Sequence, residues 1–87
     1  MTNTEAKYAA NIGKMVKCVM TEWHTQDYIT KYAIISAVEK AFNNKFRYEL
    51  RYLTEFTPVE YARFGRPNKV WCKDGGRDRH FRMTWEE

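Results

Sequence analysis

Residues 44–56 read Asn44-Lys45-Phe46-Arg47-Tyr48-Glu49-Leu50-Arg51-Tyr52-Leu53-Thr54-Glu55-Phe56, and the period assigned to them decides the fold. Phe46, Leu50 and Leu53 recur at steps of four and three, the spacing of one helix face. That spacing predicts a helix over 45–56, with Phe56 near the edge of its inner stripe. Asn44, Arg47, Tyr48, Arg51, Tyr52 and Glu55 then face outward, and Glu49 sits close to the inner stripe with no evident partner. Asn43-Asn44 marks the turn before this helix, because Asn tolerates left-handed and capping conformations. Thr57-Pro58 ends it, because proline removes a donor and disfavours helix in the residue before it.

The same period extends toward the N-terminus. Tyr8, Ile12, Met15, Val16, Val19 and Trp23 fall in one stripe about 100° wide when plotted on a helix, with Lys7, Lys14, Lys17 and Thr21 opposite. A helix over 5–24 is predicted, with Thr4 as its N-cap and Gly13 costing ~0.5–1 kcal/mol against alanine. Asp27-Tyr28-Ile29 reads as a short extended piece. Thr30 then caps a second helix over 31–42, with Ile34, Ile35, Val38, Ala41 and Phe42 inside.

After Pro58 the period changes. Val59 to Arg63 alternates as a strand would, and Phe64 to Asn68 is a loop with two strong breakers. Lys69 to Lys73 reads as a second short strand, and Asp74-Gly75-Gly76 as a hairpin-type turn. From Arg79 to Trp85 the alternation is clean, with Phe81, Met83 and Trp85 on one face and His80, Arg82 and Thr84 on the other.

The chain has 87 residues, 44% of them apolar and 16% aromatic. A chain of this size buries roughly 60–65% of its unfolded surface, enough for one core. A single domain over 1–87 is expected, and intrinsic disorder is excluded as the default. No segment approaches the roughly 20 apolar residues that span a bilayer. Met1 to Glu5 shows no basic patch followed by an apolar stretch, so an intracellular protein without membrane contact is expected. Cys18 and Cys72 read as free thiols. With His24 and His80 they make an arithmetical zinc set, but the gaps of five and seven positions exceed the usual pairing of ligands, so no metal is expected. No phosphate loop, dinucleotide fingerprint or nucleophile elbow is present. Neither an enzyme nor a cofactor is expected.

The formal net charge is +4, and its distribution is uneven. All seven arginines lie between Arg47 and Arg82. A basic cluster in the C-terminal half favours an anionic partner, and arginine's planar fork of donors fits phosphates and guanine edges.

The order helix, extended piece, helix, turn, helix, strand, loop, strand, strand resembles the winged helix-turn-helix family. Tyr52 to Tyr61 looks like the end of a recognition helix entering the first wing strand. Arg63-Phe64-Gly65-Arg66-Pro67-Asn68-Lys69-Val70-Trp71 looks like a wing tip. The resemblance implies an α+β domain of three helices with a small C-terminal antiparallel sheet, and a double-stranded DNA partner. It places Asn44, Arg47, Tyr48 and Arg51 in the major groove, with Arg63, Arg66 and Lys69 on phosphates or in the minor groove. Lys45 and Lys73 become further phosphate ligands. A small transcriptional regulator is the implied function, read as a possible homodimer. The alternative is a winged-helix interaction module, such as a small viral or mobile-element inhibitor, that uses exposed Tyr32, Tyr48, Tyr52 and Trp71 against a host protein.

Overall fold

The computed structural model describes residues 3–22, 24–77 and 80–86. Its dominant element is a five-stranded antiparallel sheet, not a helical core. A short helix, α1 (Asn3–Ala9), precedes β1 (Met15–Thr21) and the long β2 (Tyr28–Lys40). A 3-10 turn at Phe42–Asn44 leads into β3 (Phe46–Tyr52). Helix α2 (Pro58–Phe64), β4 (Lys69–Trp71) and β5 (Phe81–Trp85) complete the chain. The strands lie in the order β4-β3-β2-β1-β5, and every neighbouring pair is antiparallel. The three-helix winged helix-turn-helix is therefore corrected. The segments read as helices over 5–24, 31–42 and 45–56 are largely β1, β2 and β3.

The physical reason lies in residues 46–52. Phe46, Tyr48, Leu50 and Tyr52 are all buried, whereas Leu53 is 49% exposed. Helical and strand periods share Phe46 and Leu50, and the difference rests on Tyr48 and Tyr52 against Leu53. Aromatic and β-branched residues favour the pleated surface, and this stretch holds two tyrosines and a phenylalanine within seven residues. Val16, Cys18 and Met20 are likewise buried in alternation on β1, as are Ala33 and Ile35 on β2. Trp23, the last residue of the helical stripe read over 5–24, lies outside the described residues.

Of the first predicted helix only α1 is helical. Gly13, with φ +92, turns the chain into β1. Its N–H donates to the Ile35 carbonyl (2.8 Å), and Ile35 N–H donates back to Lys14 O (3.1 Å). The strand predicted over 59–63 is instead α2. Thr57 Oγ1 accepts from Glu60 N–H (3.1 Å) and Glu60 Oε1 accepts from Thr57 N–H (2.9 Å), a complete capping box with Pro58 in the first turn. Proline here starts a helix rather than ending one.

The turns at Asn43-Asn44 and Gly75-Gly76 are present, and all four residues have positive φ, but the second makes no hairpin, because the flanking β4 and β5 lie at opposite edges of the sheet. β5 keeps the alternation read for it, with Phe81 and Met83 buried, though Arg79 at its predicted start lies outside the described residues.

With two seven-residue helices and no second sheet among the described residues, the sheet must cover its own apolar face. It curls, and a register shift between Ile35 and Ala37 bends the thirteen-residue β2 where the curl is needed. Tyr8 of α1 closes one end of the concave side against Phe46 and Tyr48, with ring centroids 5.9 and 6.0 Å apart. Phe56 and Phe64 pack against the core beside α2, and Phe56 meets Tyr52 edge-on at 4.9 Å. Gly76 fits between the two edge strands. A Cβ there would stand 2.8 Å from Met83 Cε and 3.0 Å from Val70 Cγ2, so only glycine lets the turn seat on the core. No helix among the described residues is long and apolar enough to cross a membrane. No group of three or more His, Cys, Asp or Glu side chains among them could hold a metal ion.

Two predictions follow from this packing. Leu50→Ala should destabilise by about 2–5 kcal/mol and Leu53→Ala by less than about 0.5 kcal/mol in urea unfolding. A helix over 45–56 would make the two losses comparable. The second concerns Cys18 and Cys72, both free and buried. Burial pushes each thiol from an ordinary 9.0 up to about 12. The unfolded chain then releases these protons at a pH where the folded chain still holds them. Stability is therefore full below pH 9.0 and falls as pH rises toward 12. Urea midpoints across that range should show the fall, and Cys18→Ala with Cys72→Ala should flatten part of it, the buried Tyr52 and Tyr48 phenols keeping the remainder.

Candidate binding site at the aromatic corner

Asn44, Lys45, Arg47, Lys69, Trp71 and Lys73, all singled out from sequence, converge at one corner of the sheet. The turn between β2 and β3 carries Phe42, Asn44 and Lys45, and the register Arg47↔Trp71 sets β4 beside it. Lys45 Nζ lies 5.6 Å and Arg47 Cζ 5.5 Å from the Trp71 ring centroid. Phe42 meets Trp71 edge-on at 6.1 Å. Both aromatics are open to solvent, Phe42 at 68% and Trp71 at 39%. A cavity of about 320 Å3 opens beside them, lined in part by Asn44, Lys45, Phe46, Trp71, Lys73 and Asp74.

The cations here divide into two kinds. Glu39 accepts a hydrogen bond from Lys69 (3.1 Å) and forms an ion pair with Arg47. The Lys69 hydrogen bond, and then the nearby Arg47 charge, hold the Glu39 carboxyl below its ordinary value of 4.5. Arg47 and Lys69 are thus fixed and share the charge of one carboxylate. Lys45 and Lys73 make no ion pair with any described residue, so their charges stay available to a ligand.

The other residues read as a nucleic-acid surface lie elsewhere. Tyr48 points into the core, where its hydroxyl accepts from Asn11 Nδ2 (2.8 Å) and burial raises the phenol. Tyr48 therefore cannot touch nucleic acid, which corrects its outward placement. Arg51 is exposed on the outer face of β3. Arg63 is on α2 and donates to Glu22 (2.6 Å) and Asp27 (2.7 Å), fastening the helix to the β1–β2 connection. Arg66 lies over Tyr52 and Phe56, 5.9 and 5.8 Å from their centroids, beside the opposite end of β3 from Arg47. With β3 in place of a recognition helix, Asn44, Arg47 and Arg51 cannot enter a major groove on one helix face. Phe42, read as an inner-stripe residue, is the site residue that sequence reasoning missed. Its position next to two turn asparagines is the signal that a loop residue was meant.

An exposed indole and phenyl group beside two uncommitted ammonium groups can accept a flat π-system together with an anion. Comparison with protein-family models, curated proteins and solved structures found no match.

The Glu39 cluster carries a pH prediction. A carboxyl held low in the fold contributes stability above its unfolded value and loses that contribution as pH falls through the folded one. Glu39→Gln should therefore lower Tm near neutral pH, and the gap from the parent protein should close as pH drops below 4.5. A gap independent of pH would show that the carboxylate charge is not what holds the cluster.

Proposed function

We propose that the protein binds single-stranded nucleic acid, with an unpaired base against Trp71 and Phe42 and adjoining phosphates on Lys45 and Lys73. The observation that carries this reading is that exposed Trp71, with Phe42 edge-on to it, lines one cavity together with the uncommitted Lys45 and Lys73. Base-on-aromatic stacking tolerates any sequence because every base has a π-face, and it requires a base that is free of a duplex. Asn44, with its side-chain donors and acceptor, stands where it can meet a base edge.

A duplex target is a poorer match. The two helices are seven residues each, and α2 spends its arginine on Glu22 and Asp27. Neither presents the cationic face that a major groove requires. A single strand needs only a charged path and stacking platforms, which this corner supplies.

Fluorescence anisotropy with a labelled oligothymidylate and a labelled duplex checks the proposal. The single strand should bind more tightly, with an affinity that falls as salt rises. Each stacked base is worth ~1–3 kcal/mol, so Trp71→Ala should weaken binding by roughly 5- to 150-fold. Lys45→Ala with Lys73→Ala should lower the salt slope by about 1.4, the value for two lost single-strand phosphate contacts. An unchanged affinity in Trp71→Ala overturns the site.

A further inference from the structure

The outer face of the sheet carries a pattern that the corner does not use. On β5, Arg82 stands opposite Val19. On β1, Lys17 stands opposite both Thr84 and Tyr32. On β3, Arg51 stands opposite Ile34, and on β4 Lys69 stands opposite Glu49. These positions alternate with the buried Met83, Cys18, Ala33, Leu50 and Val70, so all of them lie on the solvent side. Read from one edge to the other, they form a diagonal with one cation or aromatic ring from each strand: Arg82, Lys17, Tyr32, Arg51, then Lys69 with Trp71.

The charge on this face is lopsided. Its strand residues include the cations Lys17, Arg47, Arg51, Lys69 and Arg82 against the carboxylates Glu39 and Glu49. Glu39 is taken up by Arg47 and Lys69. Arg82, Lys17 and Arg51 form no ion pair with any described residue. Lys31 of the concave side, by contrast, is held under α2, paired to Glu60 at 3.0 Å. Cations without counter-charges on β5, β1 and β3, with Tyr32 of β2 among them and the Glu39-paired Lys69 of β4 at the end, suit a linear polyanion more than an apolar partner. Tyr32, 41% exposed between Lys17 and Arg51, offers a second stacking ring midway along the line.

We infer that the strand held at Trp71 continues diagonally across the outer sheet face, over Arg51 and Tyr32, to Lys17 and Arg82. This rests on the reading of the Trp71 corner as a single-strand site. Strand separations of ~4.8 Å and two-residue rows of ~7 Å give a path of roughly 30 Å. Such a path holds about 4–6 nucleotides, near the low end for single small β-domains.

The test combines oligonucleotide length with substitutions at the far end of the path. Thymidine trimer, hexamer and dodecamer and a uridine dodecamer are titrated against the parent protein, Lys17→Ala/Arg82→Ala and Trp71→Ala. All three proteins are first checked for the same thermal unfolding, as substitution of exposed side chains allows. The parent should gain affinity from trimer to hexamer and little thereafter. The Lys17/Arg82 variant should bind the dodecamers more weakly, with a salt slope lower by about 1.4, and bind the trimer as the parent does. The ratio of uridine to thymidine affinity then tells whether RNA or DNA is the preferred strand. A Lys17/Arg82 variant with parental affinity and slope on the dodecamers overturns the path and leaves the corner site standing. Trp71→Ala without effect overturns both, because the path begins there. No binding of any strand at low salt also overturns both, and assigns the outer face to a protein partner.

Discussion

A sheet with no second layer among the described residues is the constraint on which the rest of this structure depends. Five strands generate a large apolar face, and the helices available to cover it are seven residues each. The sheet curls over its own apolar face because two short helices cannot by themselves exclude water from Val16, Cys18, Met20, Ile35, Tyr48 and Met83. The bend in β2, the Tyr8 plug, the Phe56–Phe64 end and the side-chain-free turn at Gly76 all serve that closure. Closure has a consequence for function. A curled sheet turns one whole face to solvent, and that face needs no residue for the core. Its side chains are free to be cationic or aromatic.

The same constraint explains how the chain organises its charge. Some cations are structural. Arg63 ties α2 to the β1–β2 connection, Lys31 ties the concave face to Glu60 and lies 4.9 Å from the Phe56 centroid, and Glu39 binds Arg47 and Lys69 together. Each of these groups has its partner within the fold, and exposed pairs of this kind are worth little to stability beyond fixing geometry. In the Glu39 cluster the fixed geometry matters, because it holds Arg47 against Trp71 and so sets the ring's position. The remaining cations on the outer face and at the corner have no such partner among the described residues. A net charge of +4 is modest, but once the internal pairs are set aside the excess falls on one side of the sheet.

How far this could be read from the sequence depended on what kind of signal each residue carried. Turn chemistry was local and legible: Asn43-Asn44, the turn at Asp74-Gly75-Gly76 and the alternation of β5 all appear where the residues place them, but which strands a turn joins was not, since β4 and β5 form no hairpin. The strands β1 to β3 were not legible, because Phe46 and Leu50, or Val16 and Met20, satisfy a helical stripe and a pleated face equally well over so few residues. The deciding residues were Tyr48 and Tyr52, whose hydroxyls suggest a surface but find Asn11 and the Pro67 carbonyl inside the fold. Pro58 misled for a related reason. It breaks a helix that precedes it and begins one that follows it, and Thr57 and Glu60 decide between the two.

The candidate site was half legible for the same physical reason. Asn44, Lys45, Arg47, Lys69 and Lys73 stand out by residue type, and type survives a change of fold. Whether a cation is free does not, because that depends on register. Arg63 is consumed by Glu22 and Asp27, which lie 41 and 36 positions away. Arg47 is joined to Trp71 only because β3 and β4 pair at that step. Composition can therefore indicate an anionic partner, but the sheet register decides which cations remain to meet it. The pairing that removes Arg47 and Lys69 from the free set is also the pairing that brings Lys45 to the Trp71 ring. At this corner, the interactions that complete the sheet edge and those that prepare the binding surface are the same interactions.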